Sequence, residues 1–203
     1  MRVYVADLEA NGFLETATIV HCGVFKNRAT GEVIKFRPSQ IQSMLRFLDT
    51  VDVLIIHNGI GYDLPLLKQL HNYEYKGKIV DTLLMSRLLN PKRVLPPSCP
   101  NRKAGPHSIE AWGWRVGRGK PEHDDWENFS EDMLHRCTED VEILDLVYDV
   151  LLAEANGANW KSAFLLTFDL FKNIHKQEKY GWLIDKAHLE RHIERLQKRI
   201  DNI

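Results

Sequence analysis

Four carboxylates stand where a chain of this kind would do chemistry. Asp7 and Glu9 are two residues apart in the run Val5-Ala6-Asp7-Leu8-Glu9. On a strand both would leave the same face. Asp63 closes the segment His57-Asn58-Gly59-Ile60-Gly61-Tyr62-Asp63, and Asp140 lies in Cys137-Thr138-Glu139-Asp140-Val141. Each acid sits at the end or edge of an apolar element. Carboxylate oxygens suit hard divalent cations such as Mg2+ or Mn2+. Two such ions clamping a phosphodiester would give a nuclease or a phosphoryl-transfer enzyme.

The elements that must position these acids can be read from periodicity. Arg2 to Asp7 is a continuous apolar or aromatic run, expected as a central strand. Ile19–Phe25 and Val33–Phe36 follow as strands, with Thr30-Gly31 marking a hairpin turn. Ile41, Leu45 and Leu48 have helical spacing after Pro38. Val53–Ile56 reads as a buried strand, Leu64–Leu70 as a helix, and Ile79–Asp81 as a short strand entering a helix through Leu89. Asn90 to Pro106 holds five prolines and no periodicity, and is expected as a surface loop. A brief helix starts at Ser108. Ser130 caps a long amphipathic helix whose apolar stripe runs from Met133 to Leu151, with Gly157 ending it. Helices are expected again over 162–180 and 186–203. Strands first and helices around them point to a layered α/β domain.

Bulk properties agree. The 203 residues carry a net charge of −1, and no apolar run approaches the ~20 residues of a membrane span. No signal peptide is read at the N-terminus. Cys22, Cys99 and Cys137 are scattered, show no zinc spacing and fit a reducing compartment. Charge is uneven: from Lys92 to Lys120 the only acid among the basic residues is Glu110, and from Pro121 to Val150 the only base among the acids is Arg136. This fits a groove for a phosphate backbone leading to a metal site, or equally a solvated loop beside a solvated helix face.

The ordered motifs resemble the DEDD (DnaQ-like) exonuclease superfamily, and among its members the proofreading 3′–5′ exonuclease domain of phage family A DNA polymerases. The motifs are Asp7-Leu8-Glu9-Ala10-Asn11, then His57-Asn58-Gly59 with Tyr62-Asp63, then Asp81-Thr82-Leu83 with Ser86-Arg87-Leu88. After these come Ser108-Ile109-Glu110-Ala111-Trp112-Gly113 and finally Glu139-Asp140-Val141. The resemblance implies a ribonuclease H-like fold, a five-stranded mixed sheet flanked by helices. It implies two ions, Mg2+ or Mn2+, held by Asp7, Glu9, Asp63 and Asp140, and release of nucleoside 5′-monophosphates from 3′ ends of single-stranded DNA. Asp7 would bridge both ions, Glu9 would also meet the terminal 3′-hydroxyl, and Leu8 and Asn58 would frame the terminal nucleotide.

The resemblance breaks at the general base. Polymerase-linked members usually carry a tyrosine four residues before the last aspartate, where this chain has Arg136. Another branch uses a histidine five residues before it, where this chain has His135. His135 matches by spacing, and its pKa class suits base work. In a continuous helix, however, it would lie roughly 140° from Asp140. Arg136 lies on the acid's own face and can contact phosphate, but a guanidinium is a poor base.

Asp81 is expected as a structural acid tying down a loop, and one of Trp112 and Trp114 as a core residue in preference to a base-stacking one. Residues 1–157 are expected to form the exonuclease domain, and 158–203 a helical segment like the junction to a polymerase domain, the polymerase itself being in cis or in trans. The expected partners are single-stranded DNA 3′ ends, with no membrane. A phage origin would place the protein in the infected host's cytoplasm. RNA or short oligonucleotides are the alternative substrate, and a catalytically silent nucleic-acid-binding domain is the alternative class.

Overall fold

In a computed structural model, which describes residues 1–119 and 125–202, the chain separates into two compact units, Met1–Lys172 and Asn173–Ile203. The first unit holds a mixed sheet of five strands: β1 (Val3–Ala10), β2 (Val20–Asn27), β3 (Val33–Phe36), β4 (Val53–Ile56) and β5 (Lys78–Asp81). Their order across the sheet is β3-β2-β1-β4-β5. The first three strands pair antiparallel as hairpins, while β4 and β5 run parallel to β1. This is the ribonuclease H-like architecture the motifs implied.

Period-two alternation along β1 explains both layers. Tyr4, Ala6, Leu8 and Ala10 face a core completed by α1 (Ile41–Leu48) and α2 (Asp63–His71). Val5, with Cys22 and Val24 from β2, faces the opposite way. There it meets Met133, Leu134, Cys137, Val141 and Leu144 of the long helix α5 (Glu131–Glu154). Asp7 and Glu9 are the next two residues on that second face. The apolar face therefore turns acidic where β1 passes the buried side of α5.

The remaining helices of the first unit are α3 (Thr82–Leu89) and α4 (Ile109–Arg115), followed by α6 (Lys161–Tyr180), within which the boundary between units falls. Ile60, Met85, Trp112, Ile143 and Phe168 form a third apolar cluster with Val147 and Leu151. The buried Phe168 explains why the first unit extends past Gly157 to Lys172. Gly113 sits where a Cβ would stand 2.6 Å from the Arg118 carbonyl, so only glycine allows that approach. The second unit contains α7 (Lys186–Ile200), capped by Asp185.

Several acids of the acidic stretch are paired with bases from other elements. Glu142 and Asp145 each hold Lys26 at 2.9 Å, Asp149 holds Arg28 at 2.7 Å, and Arg28 also pairs with Asp145. Arg118 of the basic stretch pairs with Glu139 at 2.8 Å. These contacts fasten α5 to β2 and to the segment after α4. The residues between the basic and acidic stretches, Lys120 with 121–124, lie outside the described residues, as does Ile203.

Candidate active site

All four sequence-predicted acids line one cavity of about 200 Å³, together with Leu8, Asn58 and Arg136. Asp7 and Glu9 reach it from β1, Asp63 from the first residue of α2, and Asp140 from the second turn past the start of α5. Asp63 and Asp140 are only 3% and 4% exposed. Burial, and then the charge of Asp7, push the Asp63 pKa well up, against the pull of backbone hydrogen bonds that include Leu8. Such crowding of carboxyl groups is relieved by a cation. The donor set is all oxygen, which fits a hard divalent ion.

Cys137 brings its sulfur within 4.8 Å of the ligand atoms of Asp7 and Glu9. Its thiol donates to the Asp7 carbonyl at 3.3 Å. Burial, contact with Cys22 and the two nearby carboxylates push its pKa well up, so it stays a thiol. It is a strut under β1.

The second motif owes its shape to Asp81. This fully buried acid accepts from the backbone N–H of Asn58 (3.2 Å) and Ile60 (3.1 Å). It also caps α3 through Leu83 (3.0 Å) and Leu84 (3.2 Å). Burial pushes its pKa up, and these four donors pull it back only in part. Asn58 has φ of 62°, a left-handed conformation that asparagine tolerates. Its carbonyl accepts from Gly61 and Tyr62, which closes the turn delivering Asp63 to α2. Asp81 thus shapes the site as the sequence led one to expect of a structural acid.

His135 is not brought to the cavity. Ser130 accepts from the Met133 N–H and starts α5 at Glu131, and the helix is unbroken through Asp140. His135 therefore points away from Asp140 and is exposed, beside Glu139, whose pKa it helps lower after the larger effect of Arg118. Arg136 takes its place at the site. Its Nε lies 3.9 Å from Glu9, and its guanidinium lies 5.1 Å from the Trp126 ring centre.

Sequence reasoning gave no role at the cavity to His57, Tyr62, Ile109, Trp126 or Leu144, which also line it. His57 and Tyr62 were legible only as motif letters, and nothing marked Trp126. Tyr62 donates to the Gly12 carbonyl. Burial and the charges of Asp63, Glu9 and Asp7 push its pKa up to about 12, so it keeps its proton. Trp112 is 1% exposed and donates to Ser86 at 3.1 Å, so it stacks on no base in this state.

The chain is 30% identical to the DNA-directed DNA polymerase of Escherichia phage T7 over 186 residues, covering 74% of this chain and 26% of that protein. The enzyme of Enterobacteria phage T3 matches with the same identity and coverage. Over this stretch the chain is a homologue of phage DNA polymerases, and its fold is ribonuclease H-like. It spans about a quarter of the length of these curated relatives. Among solved structures, Mg2+-bound NrnC of Brucella melitensis aligns with TM-score 0.64 and 16% identity, covering 92% of this chain and 90% of that one. RNase D of Escherichia coli aligns with TM-score 0.58 and 16% identity, covering 86% and 45%. No family model matches the chain. No helix among the described residues is long and apolar enough to cross a membrane.

Proposed function

We propose that the chain is a metal-dependent 3′–5′ exonuclease that removes nucleotides from single-stranded DNA ends, as a proofreading module working with a polymerase domain in cis or in trans. The observation that carries this reading is the convergence of Asp7, Glu9, Asp63, Asp140 and Arg136 on one cavity at the end of the central strand. Relatedness to phage DNA polymerases favours DNA over RNA.

Asp7, Glu9 and Asp140 would hold one Mg2+ or Mn2+ ion, and Asp7 with Asp63 a second. When bound, the ions acidify water and stabilise charge on the reacting phosphate and leaving oxygen. The protein's own residues do the rest. Glu9 meets the terminal 3′-hydroxyl, and Leu8 and Asn58 frame the terminal nucleotide. Arg136 supplies the one guanidinium among the described residues lining the cavity, placed to contact a phosphate oxygen. Tyr62 holds the Gly12 segment and gives up no proton. No protein base is assigned, and His135 carries no part of this mechanism. The site would act in the cytoplasm of an infected bacterium.

The test is digestion of 5′-labelled single-stranded DNA and RNA of the same sequence with Mg2+ or Mn2+. A ladder shortening from the 3′ end on DNA, lost by at least about 10³-fold in Asp7→Ala, is expected. Faster shortening of RNA would move the substrate to RNA. DNA binding without cleavage under either metal would make this a silent binding domain.

A further inference from the structure

Away from the carboxylate cavity, two guanidiniums face one indole. Arg93 lies 4.5 Å and Arg115 lies 4.9 Å from the Trp112 ring centre. Arg93 is anchored by Glu154 at 2.6 Å. Arg115 Nη2 donates to the Val94 carbonyl at 2.6 Å, which is no counter-charge. Ser86 links the patch: its hydroxyl is 2.8 Å from His107 Nδ1 and accepts from Trp112. Arg87, next in sequence to Ser86, is exposed on the last turn of α3.

The charges do not balance. Glu154 serves Arg93, and Glu110 is hydrogen-bonded to Asn101. Among the described residues, neither Arg87 nor Arg115 has a carboxylate at ion-pair distance. Arg115 Nη1 and Arg93 Nε are buried without an acceptor. The same excess appears in two pKa directions. Burial and then Arg93 lower that of Arg115 against the smaller opposing pull of Glu154, and burial with Arg93, Arg87 and Arg115 lowers that of His107. Loop anchoring accounts for Arg93 and for one donor of Arg115. It does not account for Arg87, which holds nothing.

Both arginines also stand on helices tied to the catalytic cavity. Ile109 at the start of α4 lines the catalytic cavity, and Arg115 is six residues further along that helix. α3 is capped by Asp81, which holds the Asn58 turn, and Arg87 is six residues on from that cap. Six helical residues rise about 9 Å, roughly two to three stacked nucleotides at about 3.4 Å each. We propose that Arg87 and Arg115 form a phosphate subsite that grips the single strand two or three nucleotides in from the 3′ end being cut. This rests on the nuclease reading above and adds to it the place where the strand is held.

The experiment is a phosphate walk on the full chain. Oligothymidylates, each with one neutral methylphosphonate at a stepped position, are bound in EDTA and followed by fluorescence anisotropy. For the unmodified protein, neutralising the second or third linkage from the 3′ end costs about tenfold in affinity, the loss of a charge-assisted contact. In Arg87→Gln that step shrinks, and the slope of log affinity against log salt falls by about 0.7 for each phosphate contact removed. Arg115→Lys, which keeps the charge but not the planar fork, gives an intermediate profile. If either variant fails to fold, the walk on the unmodified protein decides alone. A flat walk, or a walk with the same peak in folded Arg87→Gln, overturns the subsite while the nuclease stands. Absence of both binding and cleavage overturns the nuclease reading itself.

Discussion

Replacing Asp81 tests how the second motif is positioned, because this acid holds the loop and does not itself line the cavity. Its Oδ1 accepts from Asn58, Leu83 and Leu84, and its Oδ2 accepts from Ile60. Asp81→Asn keeps one oxygen, which can still face the first three donors. Its amide must then turn toward the Ile60 N–H, donor against donor, leaving one buried N–H unsatisfied. That costs about 1–3 kcal/mol, offset in part by removing a buried charge whose pKa burial already raises. The expected net loss is about 2 kcal/mol. Asp81→Ala strands all four donors and removes the cap of α3, for about 4 kcal/mol after the same offset. Urea unfolding measures both losses. Isothermal titration with Mn2+ measures the consequence at the site, since a loosened Asn58 turn no longer fixes Asp63. Metal affinity is expected to fall about tenfold in Asp81→Asn at temperatures where the protein remains folded. If Asp81→Ala costs under about 1 kcal/mol, or if the asparagine variant unfolds as easily as the alanine one, the four-donor account is wrong.

His135→Ala is expected to change cleavage rate by less than about twofold and leave the pH–rate profile in place, since the side chain lies on the far face of α5; a lost acid limb in that profile would restore the histidine as base. Arg136→Met is expected to lower kcat/KM about 10²-fold, with Arg136→Lys recovering part of it, as read from single-turnover rates on a DNA oligonucleotide. Asp145→Ala strips a partner from both Lys26 and Arg28, whose side chains are 18% and 24% exposed, and should cost about 2 kcal/mol by denaturant unfolding. Burial raises the Asp145 pKa, but Arg28 and Lys26 outweigh it and hold it low. Its contribution is therefore full above the ordinary carboxylate range and is lost as pH falls through the depressed folded value. The variant and the parent should converge in stability in strong acid and separate toward neutrality.

What could be read from sequence followed how local each signal was. The strands were legible because their apolar runs are continuous and bounded by turns, and the long helix because Ser130 caps a periodic stripe. Asp7 and Glu9 were legible as a pair because period-two geometry alone puts them on one face. Joining them to Asp63 and Asp140 required the motif order, since no local rule brings residues 130 positions apart together. The limits have physical causes too. The run 121–150 was ambiguous by charge because a count of acids cannot say what faces them. The answer lay at the end of β2, with Lys26 on the strand and Arg28 just past it, more than a hundred residues earlier. His135 shows the opposite failure. Spacing matched one known pattern, but the helical repeat forbade it, and the continuous apolar stripe through Leu134 and Cys137 already carried that objection. Arg136, one residue on, inherits the position because a step of four along a helix returns to nearly the same face, whereas a step of five does not. The identity of the side chain facing the carboxylate cluster is therefore set by the register of α5, and the register is set by the N-cap at Ser130 and the buried thiol of Cys137 against β1.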